Sequence, residues 1–216
     1  QLKYVERMLR STQLYGEHLL IGDMLFNWRA SHANTVRDEP DNRQVRYDFN
    51  ESSNDFRFLE ISSSGRRSFY QLDEKIVDLG FDLAIPFNPL GIALPKLDPN
   101  RIDPVQKLQI GAAYTKRDRS FEGRSFRFQT DSSVFTPADE NGNPIDFTGS
   151  PEELFGFSEI NPDGFSLYEQ TRETDEYDAK QKLLGVYALA DFRLHNKVRI
   201  QGGLRMEQSD QEVSSF

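Results

Sequence analysis

The chain has 216 residues, of which 37% are hydrophobic, 28% are charged and 12% are aromatic. Seventeen Phe and eight Tyr are too many for a disordered chain, and the absence of Cys excludes disulfide bonds and thiolate metal sites. The net charge of −9 argues against a nucleic-acid-binding protein. No apolar run approaches the roughly 18 residues of a membrane-spanning helix, but a membrane β-strand needs only about 9–11 residues, half of them apolar.

Two strands joined by a tight turn are predicted at the start of the chain. Residues 3–20 form the first strand, and Ile21-Gly22-Asp23 is a turn favoured by its glycine. The second strand, 24–37, alternates between an apolar face with Phe26, Trp28 and Ala30 and a polar face with Asn27, Arg29 and Ser31. The polar stretch 38–66 is predicted to be a long loop.

A second pair of strands follows. The third strand, 68–87, places Leu79, Phe81 and Leu83 opposite Asp78 and Asp82. Four prolines within 88–104 exclude a central strand or a helix, so this stretch is a connection. The fourth strand runs from Lys107 to about Phe128, with Ile110 and Tyr114 on its apolar face.

Residues 129–178 form the acidic segment, with thirteen acidic residues and one base, Arg172. We expect an external loop that repels anions and attracts cations, or else a solvated loop that its charge keeps soluble. The stretch Asp139-Glu140-Asn141-Gly142-Asn143 is similar to a calcium-binding loop but lacks the later bidentate Glu, and Asn-Gly is also a hairpin-turn signal. No metal site is predicted.

The clearest pattern is the closing pair of strands within 179–207. Leu184, Val186 and Phe192 share one face of the first strand, and Ile200 and Leu204 share one face of the second. The other face of the second strand carries Arg199, Arg205 and Glu207. An apolar face backed by ionic side chains is typical of a membrane β-barrel with lipid outside and a watery lumen inside. Short connections on one side and long ones on the other favour the same fold.

This reading assigns two sets of side chains. The set predicted to face the lumen, where its members form cross-strand ion pairs or contact a plug or ligand, is Arg29, Asp78, Asp82, Asp191, Arg193, Arg199, Arg205 and Glu207. The set predicted to face lipid is Trp28, Leu79, Phe81, Leu83, Ile110, Tyr114, Val186, Phe192, Ile200 and Leu204. Aromatic residues are expected near the boundaries of the lipid-facing band, with Trp28 and Phe192 low and Tyr114 high.

Signals of catalysis are poor, and no enzyme is predicted. The histidines, His18, His32 and His195, have no shared spacing, and no G-x-S-x-G nucleophile motif is present. The paired carboxylates cannot be told from solvated loop acids, so a catalytic pair is not assigned. No cofactor is predicted.

The chain resembles the barrel part of TonB-dependent outer-membrane receptors. The resemblance is strongest over 173–213, where an acidic Thr-Asp-x-Tyr entry, a descending strand, a tight turn and a Gly-Gly-Leu-Arg-x-Glu strand follow in the family's order. Shorter stretches at 4–18, 39–49, 68–83 and 108–128 support it. Together these stretches cover most of the chain apart from the acidic segment.

The resemblance implies that residues 1–216 form about six strands of a barrel of about 22 strands with a plugged lumen. It also implies energy-coupled uptake of a scarce ligand (an iron chelate, a vitamin or a saccharide) across the outer membrane of a Gram-negative bacterium. The partners would be lipid, the remaining strands, a plug domain and a TonB-type energy-coupling protein. This sequence contains neither the plug nor the coupling box, so we expect it to be part of a longer chain.

Two other readings remain open from the sequence. A soluble β-sandwich or jelly roll, acting as a binding or carbohydrate-active domain, would bury Leu184, Val186 and Phe192 beneath a second sheet. A secreted hydrolase would require acidic residues clustered in a cleft.

Overall fold

The structure is a computed structural model that describes residues 1–87, 106–131, 133–134, 136–195 and 198–215, without the side chains of 193–195. Its main sheet contains six long strands: β1 (Glu6–Leu20), β2 (Met24–Gln44), β5 (Arg66–Pro86), β6 (Lys107–Thr130), β8 (Glu176–His195) and β9 (Val198–Ser215). They lie in the order β1-β2-β5-β6-β8-β9, and each pairs antiparallel with its neighbour. The predicted all-β class is confirmed.

Shorter elements lie between the long strands. β3 (Tyr47–Asn50) and β4 (Asp55–Phe58) form a separate hairpin. A helical turn, α1 (Pro151–Leu154), precedes β7 (Phe165–Glu169), which pairs with the end of β6 beyond the reach of β8. A 3₁₀ turn, Glu173–Asp175, leads into β8.

The turn between β1 and β2 has the predicted position and a clear physical cause. Gly22 and Asp23 have positive φ angles of 74° and 57°. Glycine adopts this region without steric cost, and Asp is among the few other residues that tolerate it. Leu20 therefore pairs directly with Met24. The predicted connection at 88–104 lies outside the described residues.

The register brings one alternating set of side chains from each strand onto a common face, because residues opposite each other in a ladder point the same way. In β2, β5, β6, β8 and β9 this set is mainly apolar between Leu184 and Phe192. One row contains Gly16, Trp28, Phe81, Ala112, Val186 and Met206, and the next contains His18, Phe26, Leu83, Ile110, Ala188 and Leu204. We call the rows between Leu184 and Phe192 of β8 the apolar band. These nine residues span about 27 Å along the strand at ~3.4 Å per residue, and a strand tilt of ~40° reduces this to roughly 21 Å. The height is close to the ~25 Å apolar band of membrane barrels.

The long connections are more ordered than the sequence indicated. β2 continues to Gln44, and the remainder of 38–66 contains the β3–β4 hairpin. This hairpin packs against the acidic segment around four buried residues, Phe58, Phe128, Leu154 and Phe165. Val45, Tyr47, Ile145, Phe147 and Phe155 pack against them. We call this unit the loop lobe. Because these apolar residues pack together, the charges of the acidic segment lie on an ordered surface and not on a wholly solvated loop.

The main sheet has no comparable core. Of the six buried hydrophobic residues of the described chain, four belong to the loop lobe, and only Leu25 and Ala84 lie elsewhere in the sheet. The accessible surface is 14967 Å², whereas a compact monomer of this mass exposes roughly 10,200 Å². The excess arises because a single-layer sheet exposes both faces.

Candidate lumen-side site

The face opposite the apolar band, here called the polar face, carries the eight side-chain positions that the sequence assigned to the lumen. The register places Arg29, Asp78 and Asp82 on this face of β2 and β5. Asp191, Arg199, Arg205 and Glu207 lie on the same face of β8 and β9. Arg193 holds an equivalent position opposite Arg199, but its side chain lies outside the described residues.

A hydrogen-bonded network crosses four strands at the centre of the polar face. The Tyr187 hydroxyl donates to Asp82 Oδ1 and accepts a bond of 2.8 Å from Gln109 Nε2. Arg29 Nη1 lies 3.8 Å from Asp82 Oδ2. β2, β5, β6 and β8 are thereby joined by side chains in addition to their backbone ladders.

Asp78 forms a second connection two rows above Asp82. Thr115 Oγ1 donates to Asp78 Oδ1 at 2.6 Å, and Ser31 Oγ donates to Asp78 Oδ2 at 3.4 Å. On β9, Arg205 Nε donates to Glu207 Oε1 at 2.7 Å. Thus the central part of the polar face is occupied by paired, partly solvated ionic groups.

Two glycines make this arrangement possible. A Cβ at Gly111 would lie 2.4 Å from Tyr187 Cε1, 2.6 Å from Asp82 Oδ1 and 2.8 Å from the Phe81 carbonyl oxygen. A Cβ at Gly80 would lie 3.0 Å from Arg29 Nε. Long side chains lie flat across the sheet at these two positions.

The lower end of the polar face contains a buried ion pair. Asp191 is only 2% exposed, and Arg199 donates to both of its carboxylate oxygens, with Nε at 2.6 Å from Oδ1. A bidentate arginine satisfies a buried carboxylate and fixes its orientation. The two predicted lumen residues of this end are therefore brought together.

The upper end contains two further carboxylates. Glu39, 2% exposed, contacts Arg37 and lies 3.0 Å from Lys3 Nζ. Arg119 Nε donates to Glu74 Oε2 at 2.7 Å. None of these residues belonged to the set predicted to face the lumen. Alternation along a strand gives the face on which a side chain lies, but it does not show which charges form ion pairs.

An aromatic stack lies beside these ion pairs on the polar face. The rings of Tyr70 and Phe121 have centroids 6.0 Å apart, and those of Phe121 and Tyr177 are 5.3 Å apart, with interplanar angles of 18° and 27°. A cavity of about 200 Å³ is lined by Tyr70 and Phe121 together with Lys3, Arg37 and Glu39. A flat apolar surface next to charged groups suits a ligand with both an apolar face and polar substituents.

A larger cavity of about 430 Å³ lies where the loop lobe meets the strand ends. Its apolar lining comes from Val45, Tyr47, Phe128 and Phe155, and its cationic lining from Arg43, Arg66 and Arg67. The acidic segment contributes Pro151 and Glu152 to the wall. The acidic segment, which was predicted to attract cations, therefore borders a cavity whose charged lining is mainly arginine.

The pKa values of two groups near this cavity, Asp41 and Tyr47, are shifted by their contacts. Burial alone would raise the pKa of Asp41, but hydrogen bonds from Arg43 and Arg67 outweigh it, and the pKa lies below its ordinary value. Burial, together with Glu152 and Glu153, raises the pKa of Tyr47. The Tyr47 hydroxyl remains a donor and bonds the Gly149 carbonyl at 2.7 Å.

The ten residues assigned to lipid share the opposite face. Several are largely exposed, including Leu204 at 85%, Leu79 at 48% and Phe81 at 44%. The register does not place Trp28 at the lower boundary, where it was predicted, because its row, with Phe81 and Val186, is the second row of the apolar band, directly below the row of Leu184. The Trp28 indole N–H donates to His18 Nε2 at 3.0 Å, so its polar group is paired despite this position.

In the described part of the chain, no group of three or more His, Asp or Glu side chains is placed to hold a metal ion. Asp139 accepts hydrogen bonds from the backbone N–H groups of Asn141 and Asn143, which closes a turn around Gly142. The calcium-loop-like stretch is therefore a turn in the loop lobe.

The residues that sequence reasoning missed are mainly aromatic. Tyr187 lies on the polar face by simple alternation from Asp191, a signal that was available in the sequence. The Tyr70–Phe121–Tyr177 stack joins three strands and requires the register, which alternation does not give.

Comparison of the chain with protein-family models, with curated proteins and with solved structures finds no match in any of the three. Among the described residues, no helix has both the length and the apolar character needed to cross a membrane.

Proposed function

We propose that this chain is a wall segment of a TonB-dependent outer-membrane receptor, which takes up a scarce ligand through a β-barrel. The observation that carries the proposal is the apolar band, which runs across β2, β5, β6, β8 and β9 and is backed by hydrogen-bonded and ion-paired charges. A face of this kind needs an apolar medium on one side and water on the other.

The exposure of the band supports lipid as that medium. Leu184 is 47% exposed, Val186 is 36% exposed and Ile200 is 43% exposed. A sandwich or jelly roll would bury such residues beneath a second sheet, and no described element covers them. At ~25 cal/mol per Å², leaving a face of this extent in water would be costly.

The polar face supports a watery lumen. Its carboxylates at positions 78, 82 and 191 each accept a hydrogen bond from a hydroxyl or guanidinium group, so the face is ionic and its charges are hydrogen-bonded. The aromatic stack and the two cavities lie toward the loop lobe, on the side where a ligand would enter. The ligand would be an iron chelate, a vitamin or a saccharide.

The edges of the sheet define the expected partners. β1 and β9 each have one unpaired side in this sheet, and an unpaired edge pairs readily with a further strand. The remaining barrel strands would join there, a plug domain would contact the polar face, and the energy-coupling protein would act through the plug.

Two adjacent alanines offer a matched test of the proposal. Ala112 lies in the apolar band opposite Phe81 and Val186, whereas Ala113 lies on the polar face opposite Gly80 and Gly185. The chain has no Cys, so Ala112→Cys and Ala113→Cys can each carry a single nitroxide label. In outer membranes, the label at 112 should collide with dissolved oxygen, which concentrates in lipid, and the label at 113 with a water-soluble nickel chelate.

Equal accessibility of the two labels to the nickel chelate would contradict the proposal. So would a protein that remains in the aqueous fraction with neither label in contact with lipid.

A further inference from the structure

Two arginines face each other at the upper end of the polar face. Arg66 of β5 lies directly opposite Arg127 of β6, and the ladder runs without a bulge from these residues down to Asp78 and Asp82. The two side chains therefore lie on the same face as the central network, with Cβ atoms about 5 Å apart. Like charges in directly opposite positions destabilise a sheet. We call Arg66 and Arg127 the arginine pair.

The arginine pair has no carboxylate beside it in the ladder. Gln44 and Tyr168 complete its row. The paired residues of the rows immediately below and above on this face are also uncharged: Asn42, Ser68, Ser125, Gln129 and Ser166. Further down the same face, Glu39 already contacts Arg37 and Lys3. The repulsion between the two guanidinium groups is therefore not relieved by their neighbours in the sheet.

The hydrogen bonding of the arginine pair is also incomplete. The Nε–H groups of Arg66 and Arg127 are buried, and within the described residues they have no hydrogen-bond partner. By contrast, Arg67, the residue next to Arg66, donates two hydrogen bonds to Asp41. Both side chains of the pair are partly exposed, so a ligand can reach their ends. An oxyanion held by both guanidinium groups would be bound favourably, because it would satisfy charged donors that lack a partner.

The larger cavity provides an apolar surface beside Arg66. Arg66 lines this cavity of about 430 Å³ together with Tyr47, Phe128 and Phe155. The three aromatic rings belong to the loop lobe or pack against it, so an ordered part of the molecule holds them in place. A ligand whose charged group contacts Arg66 can therefore place an apolar group against these rings.

The charges around the larger cavity leave an excess of cations. Among the described residues, its lining contains three arginines and a single carboxylate, Glu152. Asp41 accepts hydrogen bonds from two of these arginines, Arg43 and Arg67, so its one negative charge is shared between them. The second member of the arginine pair lies outside this lining and adds further positive charge. The local field therefore favours an anion.

We infer that the arginine pair binds the phosphate or carboxylate group of a small organic anion, whose apolar part lies in the larger cavity. Guanidinium groups suit this role because their planar array of donors matches the oxygens of a phosphate or a carboxylate. The inference rests on the proposed function for the role of the site, since it makes such an anion the ligand that is taken up. Binding of the anion does not itself require lipid.

The test measures binding of phenyl phosphate, an oxyanion attached to an apolar ring, to the full chain in detergent micelles by equilibrium dialysis. Arg66→Gln/Arg127→Gln should bind it roughly 10- to 100-fold more weakly than the parent protein, because two charged donors are lost. Arg124→Gln is the matched control, since Arg124 lies on the opposite face of β6 from Arg127; it should bind as the parent does. Inorganic phosphate should bind the parent about 10-fold more weakly, since it has no ring to bury.

Stability distinguishes a binding role of the arginine pair from a structural one. Without ligand, Arg66→Gln/Arg127→Gln should be at least as stable to denaturant as the parent, because the substitutions remove the repulsion between like charges. Phenyl phosphate should stabilise the parent and leave the double variant unchanged. A double variant that is less stable than the parent without ligand would show that the pair supports the fold, and would overturn the inference.

The remaining outcomes separate this inference from the proposed function. Equal binding of phenyl phosphate by the parent and the double variant would overturn the inference, and so would equal affinity of the parent for inorganic phosphate and phenyl phosphate. Lipid contact by the label at position 112 without any binding of phenyl phosphate would overturn the inference alone. Binding by a protein that contacts no lipid would overturn the proposed function, and with it the role in uptake, but not the site.

Discussion

At the scale of single residues, small side chains decide where large ones lie. Gly16 faces the Trp28 indole, and an added Cβ would lie 2.3 Å from its Nε1 atom. Gly111 stands in the same relation to Tyr187 and Asp82 on the other face. Because these positions have no side chain, cross-strand contacts can form there: one between β1 and β2 beside Gly16, and one across four strands beside Gly111.

The substitution Gly111→Ala should destabilise the sheet by about 1–3 kcal/mol, the usual cost of forcing extra atoms into a packed site. The added methyl group would collide with the Phe81 carbonyl oxygen as well as with Tyr187, so a side-chain rotation alone cannot relieve it. Chemical denaturation of the protein in lipid or detergent would measure the change.

A matched control is Gly202→Ala, because a Cβ at Gly202 meets no atom within 4 Å. It should be neutral or slightly stabilising, since alanine restricts the unfolded chain more than glycine does. Similar losses of stability for Gly111→Ala and Gly202→Ala would mean that the contact between Tyr187 and Asp82 does not depend on Gly111.

At the scale of elements, the loop lobe is the only part of the described chain with a hydrophobic core of several buried aromatic residues. Phe165 is fully buried, and its ring lies 5.2 Å from that of Phe155 and 5.9 Å from that of Phe58. The lobe joins two segments far apart in sequence. We expect the loop lobe to unfold separately from the central parts of the long strands, since the two share few buried side chains.

Phe165→Ala should destabilise the loop lobe by about 3–5 kcal/mol while leaving the sheet intact. Hydrogen exchange would show faster exchange at residues 137–170, with little change at the centres of β5 and β6. Phe157→Ala is the control, because Phe157 is 99% exposed. Loss of protection in β5 and β6 together with the lobe would show that the two form one cooperative unit.

Acid should loosen the same lobe. A hydrogen bond from Asn143 lowers the pKa of Asp139, and backbone hydrogen bonds lower those of Asp146 from Thr148 and Glu153 from Ser150. Groups with lowered pKa values stabilise the folded state above their ordinary values, 3.8 for Asp and 4.5 for Glu. Their contribution decreases as pH falls below that range.

Limited proteolysis between pH 6 and pH 3, with an acid-active protease, would follow this loosening. Cleavage within 137–170 should increase at the acid end of the series. Asp139→Asn/Asp146→Asn should be cleaved more readily at pH 6 and depend less on pH. An identical pH profile for the variant would exclude these carboxylates as the cause.

Alternation predicted the strands well but could not predict the loop lobe. Leu184, Val186 and Phe192 obey a period of two, so their common face follows from the sequence alone. Phe58 and Phe165 meet although more than a hundred residues separate them, and neither lies in a long periodic segment. The polar face was predictable only in part. Alternation showed which side chains lie on it, but contacts such as that between Gln109 and Tyr187 depend on the register.

At the scale of the whole molecule, the two faces of the sheet make opposite demands on their surroundings. The apolar band exposes many large hydrophobic residues, and the polar face retains ionic pairs that need water nearby. The loop lobe lies at one end of the long strands, so the two ends of the sheet differ in structure. The proposed function therefore depends on lipid contacting the apolar band.

Trp28 provides the most direct measurement of that contact. It is the only tryptophan of the chain and lies inside the apolar band, one row below the row of Leu184. In bilayers, lipids brominated along their acyl chains should quench its fluorescence strongly, whereas aqueous iodide should have little effect. Strong quenching by iodide with none by the brominated lipids would contradict the account.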